Sequence, residues 1–171
     1  MDSAEYERKI ASRFAAFDQD GNGYIDREDF SSAAARLLAE FSVPARSDKG
    51  QNLYSGAEAF WQGMAGIADV DGDQRVSREE FATSAVKRLR DNPKRFGEIA
   101  RPFVHAVMRL ADVDGRGVTT AAVERALGAL GVDAGVAAAA GAVLDVDGDG
   151  RIGEEDVLAA FAAYYVTPEP E

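Results

Sequence analysis

Acidic residues recur at alternate positions in four twelve-residue windows of this chain: DQDGNGYIDRED from Asp18, DVDGDQRVSREE from Asp69, DVDGRGVTTAAV from Asp112 and DVDGDGRIGEED from Asp145. Carboxylates at the first, third and fifth positions of a turning loop converge on one point. A backbone carbonyl at the seventh position adds another oxygen, and an acid at the twelfth, on the exiting helix, closes the shell. Oxygen-only ligation of this kind suits a hard cation, Ca²⁺ or Mg²⁺. The windows hold 18 of the 30 acids in 48 of the 171 residues. Carboxylates a few ångströms apart repel by roughly 1 kcal/mol per pair even in water, so this density calls for a positive charge among them. Solvated turns with N-capping aspartates would account for one Asp per loop, not for three at alternate positions.

The elements that must position these windows are helices. Alanine, the best helix former, occupies 32 positions, and strand-like runs of β-branched and aromatic residues are absent. Apolar residues three and four apart recur eight times. They run from Ile10, Phe14 and Phe17 in the first helix, through Phe96, Ala100, Phe103, Val107 and Leu110 in the fifth, to Val136, Val143 and Leu144 in the seventh. The eighth carries Val157, Leu158, Phe161 and Tyr165. The windows fall between alternate pairs of helices, so the repeat is helix, acidic loop, helix, four times. Asn92-Pro93 reads as an N-cap followed by proline at the first helical position, and Asp133 as the cap of the seventh helix. Ser42 to Gly56, polar and glycine-rich, reads as the longest loop. The tail from Thr167, with two prolines, is expected to fray.

The windows resemble EF-hand calcium loops, D-x-[DN]-x-[DN]-G-x₅-E. Four of them in about 170 residues, each between amphipathic helices, resemble the calcium-binding proteins of the sarcoplasmic type, including the bacterial calerythrin-like members. The resemblance extends from Phe14 to about Tyr165. It implies an all-α, compact fold of four EF-hand helix-loop-helix units paired into two lobes. Residues 1–91 would carry loops 18–29 and 69–80, and residues 92–171 would carry loops 112–123, degenerate, and 145–156. The eighth loop positions, Ile25, Val76, Thr119 and Ile152, would form short two-stranded contacts, first loop with second and third with fourth. Each lobe would then draw a core from its own four helices.

Against the family pattern, the first window offers Asp18, Asp20, Asn22, the Tyr24 carbonyl and Asp29. Aspartate at the twelfth position is one methylene shorter than glutamate, so bidentate ligation requires drawing in the exiting helix, and Mg²⁺ should be better tolerated. The second offers Asp69, Asp71, Asp73, the Arg75 carbonyl and Glu80, the only window that keeps Glu at its end. Its sixth position is Gln74 instead of Gly, at a cost of about 1 kcal/mol if φ must be positive. The third keeps Asp112 and Asp114 but has Arg116 at the fifth position and Val123 at the twelfth. It is expected to bind no metal, with Arg116 standing in its cavity. The fourth offers Asp145, Asp147, Asp149, the Arg151 carbonyl and Asp156, with Gly153 leaving a place for water. About three calcium ions per chain follow, with Mg²⁺ possible at loops 1 and 4. They would bring the formal charge from −11 to −5.

The same composition sets limits on function. A charge of −11 disfavours nucleic acid and anionic membranes as partners. The absence of cysteine removes disulfides, thiolate metal sites and a cysteine nucleophile, and fits a cytoplasmic protein. MDSAEYERKI lacks the apolar core of a secretory signal, Asp2 excludes myristoylation, and Val136 to Leu144 is too short to span a bilayer. His105 reads as a helix residue, Trp61 as core, and Lys87, Arg88, Arg90, Lys94 and Arg95 as a solvated helix end. With one histidine and no phosphate-binding loop, no enzyme activity is expected. A calcium buffer or transport role is favoured over a sensor, because three methionines cannot build a Met-rich target groove. A monomer is expected, with calcium ions as the partners and a protein target left open.

Overall fold

A computed structural model describes residues 2–165, with side chains through residue 163. The expected place of Tyr165 in the eighth apolar stripe lies outside the described side chains, and the expected fraying of the tail lies outside the described residues. Asp2 caps the first helix, α1 (Ser3–Phe17), accepting from the Glu5 N–H at 2.7 Å. Then follow α2 (Arg27–Glu40) and α3 (Asp48–Ala68). Helix α4 covers residues 78–91 and widens to a π-helical turn over Phe81–Ala85. The second half holds α5 (Pro93–Ala111), α6 (Thr120–Ala129), α7 (Ala134–Leu144) and α8 (Glu154–Tyr165). Two-residue strands lie between them: β1 (Tyr24–Ile25) antiparallel to β2 (Val76–Ser77), and β3 (Val118–Thr119) antiparallel to β4 (Arg151–Ile152). The fold is all-α, as the periodicity implies, with the loops paired as the resemblance implies. No helix among the described residues is long and apolar enough to cross a membrane.

One local expectation fails and another holds in part, each for an identifiable reason. The segment from Ser42 to Gly56 is loop only as far as Ser47, whose hydroxyl accepts from the Gly50 N–H and starts α3. Its glycines are not breakers. Gly50 lies against the Pro44 and Ala45 carbonyls and Gly56 against the Pro102 carbonyl, so each is a point of close backbone approach. Asn92 does precede Pro93 at the start of α5, but its side chain makes no capping bond. The residue is shared by two helices: its N–H donates to the Arg88 carbonyl and its carbonyl accepts from Arg95. Asp133 caps α7 as expected, accepting from Gly135 and Val136.

The strand pairs join first loop to second and third to fourth, yet the larger apolar cluster spans both lobes, with a smaller one of Ala111, Val118, Ala122, Val123 and Ile152 beside the third and fourth loops. The larger cluster runs from Ile10 and Phe14 through Phe60, Trp61 and Phe81 to Phe96, Val104, Leu110 and Leu158. Phe60 meets Phe96 and Phe103 with ring centroids 6.0 Å apart, and Phe96 meets Phe161 at 6.3 Å. The continuity comes from α3 lying along α5. A methyl group at Gly56 would fall 2.7 Å from the Pro102 carbonyl oxygen, and one at Gly63 would fall 2.6 Å from Ile99 Cγ2. Glycine alone permits that approach. Polar ties add to it: Arg125 Nη2 donates to the Glu40 carbonyl at 2.7 Å, and Gln19 Nε2 to the Leu130 carbonyl at 3.3 Å.

Helix α7 departs from its sequence reading. Val136 is 59% exposed and Val143 75% exposed, while Ala137 and Gly141 are buried. The helix is apolar all round, so periodicity could not choose its face. Its small residues win, because they let α7 settle closely on α6 near Thr120 and Glu124.

Candidate metal centre

All four loops share one backbone scaffold. The sixth residue donates its N–H to the first-position carboxylate: Gly23 to Asp18 at 2.9 Å, and Gln74 to Asp69, Gly117 to Asp112 and Gly150 to Asp145 at 3.0 Å each. The fifth residue donates to the third-position carboxylate: Asn22 to Asp20, Asp73 to Asp71, Arg116 to Asp114 and Asp149 to Asp147, at 3.0–3.2 Å. These Asx-type turns hold the aspartates in place. They need positive φ at the sixth position, where Gln74 adopts +65°. The strain expected of a non-glycine residue there is present.

Three loops bring carboxylates together. Ligand-capable oxygens of Asp69, Asp71, Asp73 and Glu80 lie within 4.8 Å of one another, as do those of Asp18, Asp20 and Asp29, and those of Asp145, Asp147 and Asp149. Asn22 completes the first loop, its Oδ1 accepting from the Tyr24 N–H at 3.0 Å. Tyr24 and Arg151 open β1 and β4, and Arg75 precedes β2. Asp156 does not join the fourth cluster. It is exposed, and lines a hollow with Asp147, Asp149 and Gly153.

The twelfth position explains the difference between loops. Glu80 folds back over its loop, accepting from Val70 at 2.7 Å and Asp71 at 3.4 Å through Oε2, and from Ser77 at 3.1 Å through Oε1. Burial alone would raise its pKa, but the N–H groups of Ser77, Val70 and Asp71 outweigh it and hold the carboxylate below its usual range. Asp29 makes the same grip with a shorter side chain, on Asp20 at 3.3 Å and Asp26 at 2.9 Å. It is only 2% exposed. Burial pushes it up to about 6, against the lowering effect of those N–H groups and with the charges of Asp20 and Asp26 adding to the rise. Within the second cluster Asp73 is held low, first by the Arg75 guanidinium. Asp71 is raised: the Asp73 N–H lowers it, but burial, the Asp73 carboxyl and the Glu80 charge prevail. In the fourth, Asp149 is low, chiefly through the Arg151 N–H, and Asp147 is high beside it: the Asp149 N–H lowers Asp147, but the Asp149 carboxyl and burial prevail.

The third loop is one residue short. Thr119, at its eighth position, caps the exiting helix by accepting from Ala122, whereas Asp26 and Ser77 cap from the ninth. Val118 therefore lies opposite Ile152, and Thr119 opposite Arg151, not the Thr119–Ile152 pairing expected. The twelfth-position role falls to Ala122 instead of Val123, and neither offers a side-chain oxygen. Arg116 is exposed and gives the loop only its N–H; the guanidinium beside Asp114 is that of Arg151. The sequence carried a signal for this shift. The buried β-branched residue stands eighth in three windows, at Ile25, Val76 and Ile152, but seventh in the other, at Val118.

The donor sets fit a hard divalent cation. All the gathered groups are oxygen donors. Asp145 Oδ1 is buried without a hydrogen-bond partner, a condition that costs about 1–3 kcal/mol or more unless something positive meets it. The remaining conspicuous residues have other duties. Trp61 is buried in the core. His105 is exposed, with Nδ1 2.6 Å from Glu154 Oε1. Lys87, Arg88, Lys94 and Arg95 are exposed.

Residues 7–86 match the model of the EF-hand domain pair. Calerythrin of Saccharopolyspora erythraea is 25% identical over 167 residues, covering 96% of this chain and 94% of that protein. A solved Streptomyces coelicolor calcium-binding protein, described in terms of prokaryotic calcium-mediated regulation, is 63% identical with a TM-score of 0.93, over 96% of this chain and 99% of that one. Calcium-loaded apo-aequorin from Aequorea victoria shares the fold alone: 16% identity and a TM-score of 0.73, over 98% and 94%. The chain belongs to the EF-hand calcium-binding proteins, as a homologue of calerythrin and the sarcoplasmic calcium-binding proteins.

Proposed function

We propose that this protein is a calcium buffer or transport protein that holds three ions, in its first, second and fourth loops. The observation that carries the count is the gathering of carboxylates in those three loops and in no other among the described residues. The ligands would be Asp18, Asp20, Asn22, Asp29 and the Tyr24 carbonyl; Asp69, Asp71, Asp73, Glu80 and the Arg75 carbonyl; and Asp145, Asp147, Asp149 and the Arg151 carbonyl. Asp156 would join the fourth set by moving in with the first turn of α8. A bound ion supplies positive charge that relieves the repulsion among these carboxylates and so stabilises the fold. Mg²⁺ is an alternative guest in the first and fourth loops, where the twelfth residue is aspartate.

The buffer role rests on the core. Met64 is 1% exposed inside the cluster that spans both lobes, and Met108 is half-buried, so no Met-rich groove stands ready for a target helix among the described residues. The protein would be cytoplasmic and monomeric, residues 1–91 and 92–171 acting as its two binding pairs. The alternative is a sensor, favoured by the 63% identical Streptomyces protein described in terms of calcium-mediated regulation.

A calorimetric calcium titration, repeated in excess Mg²⁺, tests the count. Three equivalents are expected, and Glu80→Gln should remove the one that best resists Mg²⁺. Four equivalents would overturn the count. A dye that brightens on apolar surface separates the roles: strong calcium-dependent brightening would defeat the buffer reading.

A further inference from the structure

We infer that the guanidinium of Arg151 is the resident cation of the third loop, holding it paired to the fourth whether or not calcium is present. The inference rests on the reading that the third loop binds no metal. That loop keeps two carboxylates, Asp112 and Asp114, and lacks acids at its fifth and last positions. Arg151 opens β4 directly opposite Thr119. Its Nη1 donates to the Gly117 carbonyl at 2.8 Å. Nη1 and Nη2 lie 3.4 and 3.3 Å from the two oxygens of Asp114, fork on fork. Asp114 is held below the usual carboxylate range, first by the Arg116 N–H and then by this guanidinium. Gly117, at φ +102°, borders the stem of this side chain: a methyl there would sit in ordinary contact with it, 3.8 Å from Arg151 Cδ.

Arg151 thus belongs to two loops. Its main chain lies in the fourth, where its N–H donates to Asp149 Oδ1 at 2.8 Å, and its side chain lies in the third. Arg75, at the same position of the second loop, behaves otherwise. Its guanidinium stacks on the Tyr24 ring, 3.9 Å from the centroid, and pairs with Asp73 of its own loop at 3.0 Å. Its described contacts include no carboxylate of the first loop. The crossing to the partner loop's acid is made where that partner lacks a full ligand set. A planar monocation that reaches one carboxylate and one carbonyl orders the loop without the exchange that a free ion undergoes, and it fixes the strand from which the fourth loop presents its seventh-position carbonyl.

The test uses the full chain with Arg151→Met, Arg151→Lys, Asp114→Asn and the double variant Asp114→Asn/Arg151→Met. In chelator, Arg151→Met should lower Tm by about 2–4 °C, as loss of an interaction of ordinary strength does in a chain of this size. Amide exchange at Val118 and Thr119 should quicken roughly tenfold. Calcium affinity read at the Gly150 amide by NMR should fall roughly threefold to tenfold, while that read at Gly23 and Gln74 stays unchanged; the scale is that of a lost charge-assisted hydrogen bond, partly transmitted. Asp114→Asn should reproduce these changes, the double variant should add nothing to them, and lysine should restore part. Wild-type Tm, exchange and Gly150 affinity in both Arg151 variants would overturn the inference, as would additive effects in the double variant. A fourth calcium equivalent in the wild type would instead defeat the reading on which it rests.

Discussion

Ile25 of the first loop and Val76 of the second lie opposite one another in an antiparallel pair, and both are completely buried. The two loops therefore meet through a dry contact, each at its eighth position. Replacing Ile25 by Ala should cost about 2–5 kcal/mol of stability. It should also weaken calcium binding at both loops, although neither ligand set is altered. Denaturant unfolding with and without calcium measures the first effect, and titration followed at Gly23 and Gln74 measures the second.

Gln74 sits at φ +65°, a conformation that costs a side-chain-bearing residue about 1–2 kcal/mol. Gln74→Gly should strengthen the second loop, by no more than about 1 kcal/mol, because glycine also gives the unfolded chain more freedom to lose. Gln74→Val should weaken it, since a β-branched side chain tolerates that region least. Competitive titration against a chelator of known affinity ranks the three proteins.

Gly56 marks the place where the lobes are locked. Gly56→Ala would drive its methyl into the Pro102 carbonyl, and backbone cannot step aside cheaply. The change should destabilise the chain by about 1–3 kcal/mol through overpacking and disturb the Phe60–Phe103 contact. Thermal unfolding together with near-ultraviolet circular dichroism reads both.

Asp29→Glu tests the twelfth position. The longer side chain can reach a larger ion with both oxygens, so calcium should gain over Mg²⁺ in the first loop by roughly tenfold, following the different coordination numbers of the two ions. The residue is buried, so some stability should be lost as the added methylene is accommodated. A calcium titration in excess Mg²⁺ reads the selectivity; an unchanged ratio would detach it from this residue.

Local chemistry made much of the protein legible before its fold was seen. Alternate aspartates, glycines at the sharp turns and apolar residues at helical spacing are short-range signals, and each acts within a dozen residues. They sufficed for the eight helices of the described residues and for the loops where carboxylates gather, and they warned that Gln74 would be strained. Three features depended on what lies across the fold. Gly56 resembles a breaker until the opposing backbone of Pro102 is in place. The face that α7 buries was undecidable in a helix apolar on every side, and packing against α6 chose the smaller residues. The guanidinium beside Asp114 could not be assigned from its own loop, where Arg116 was the near candidate, because Arg151 arrives 37 residues later through a strand pairing whose register a shortened loop had shifted. Spacing along the chain decides which oxygens can converge; only the packed tertiary structure decides which distant groups arrive to meet them.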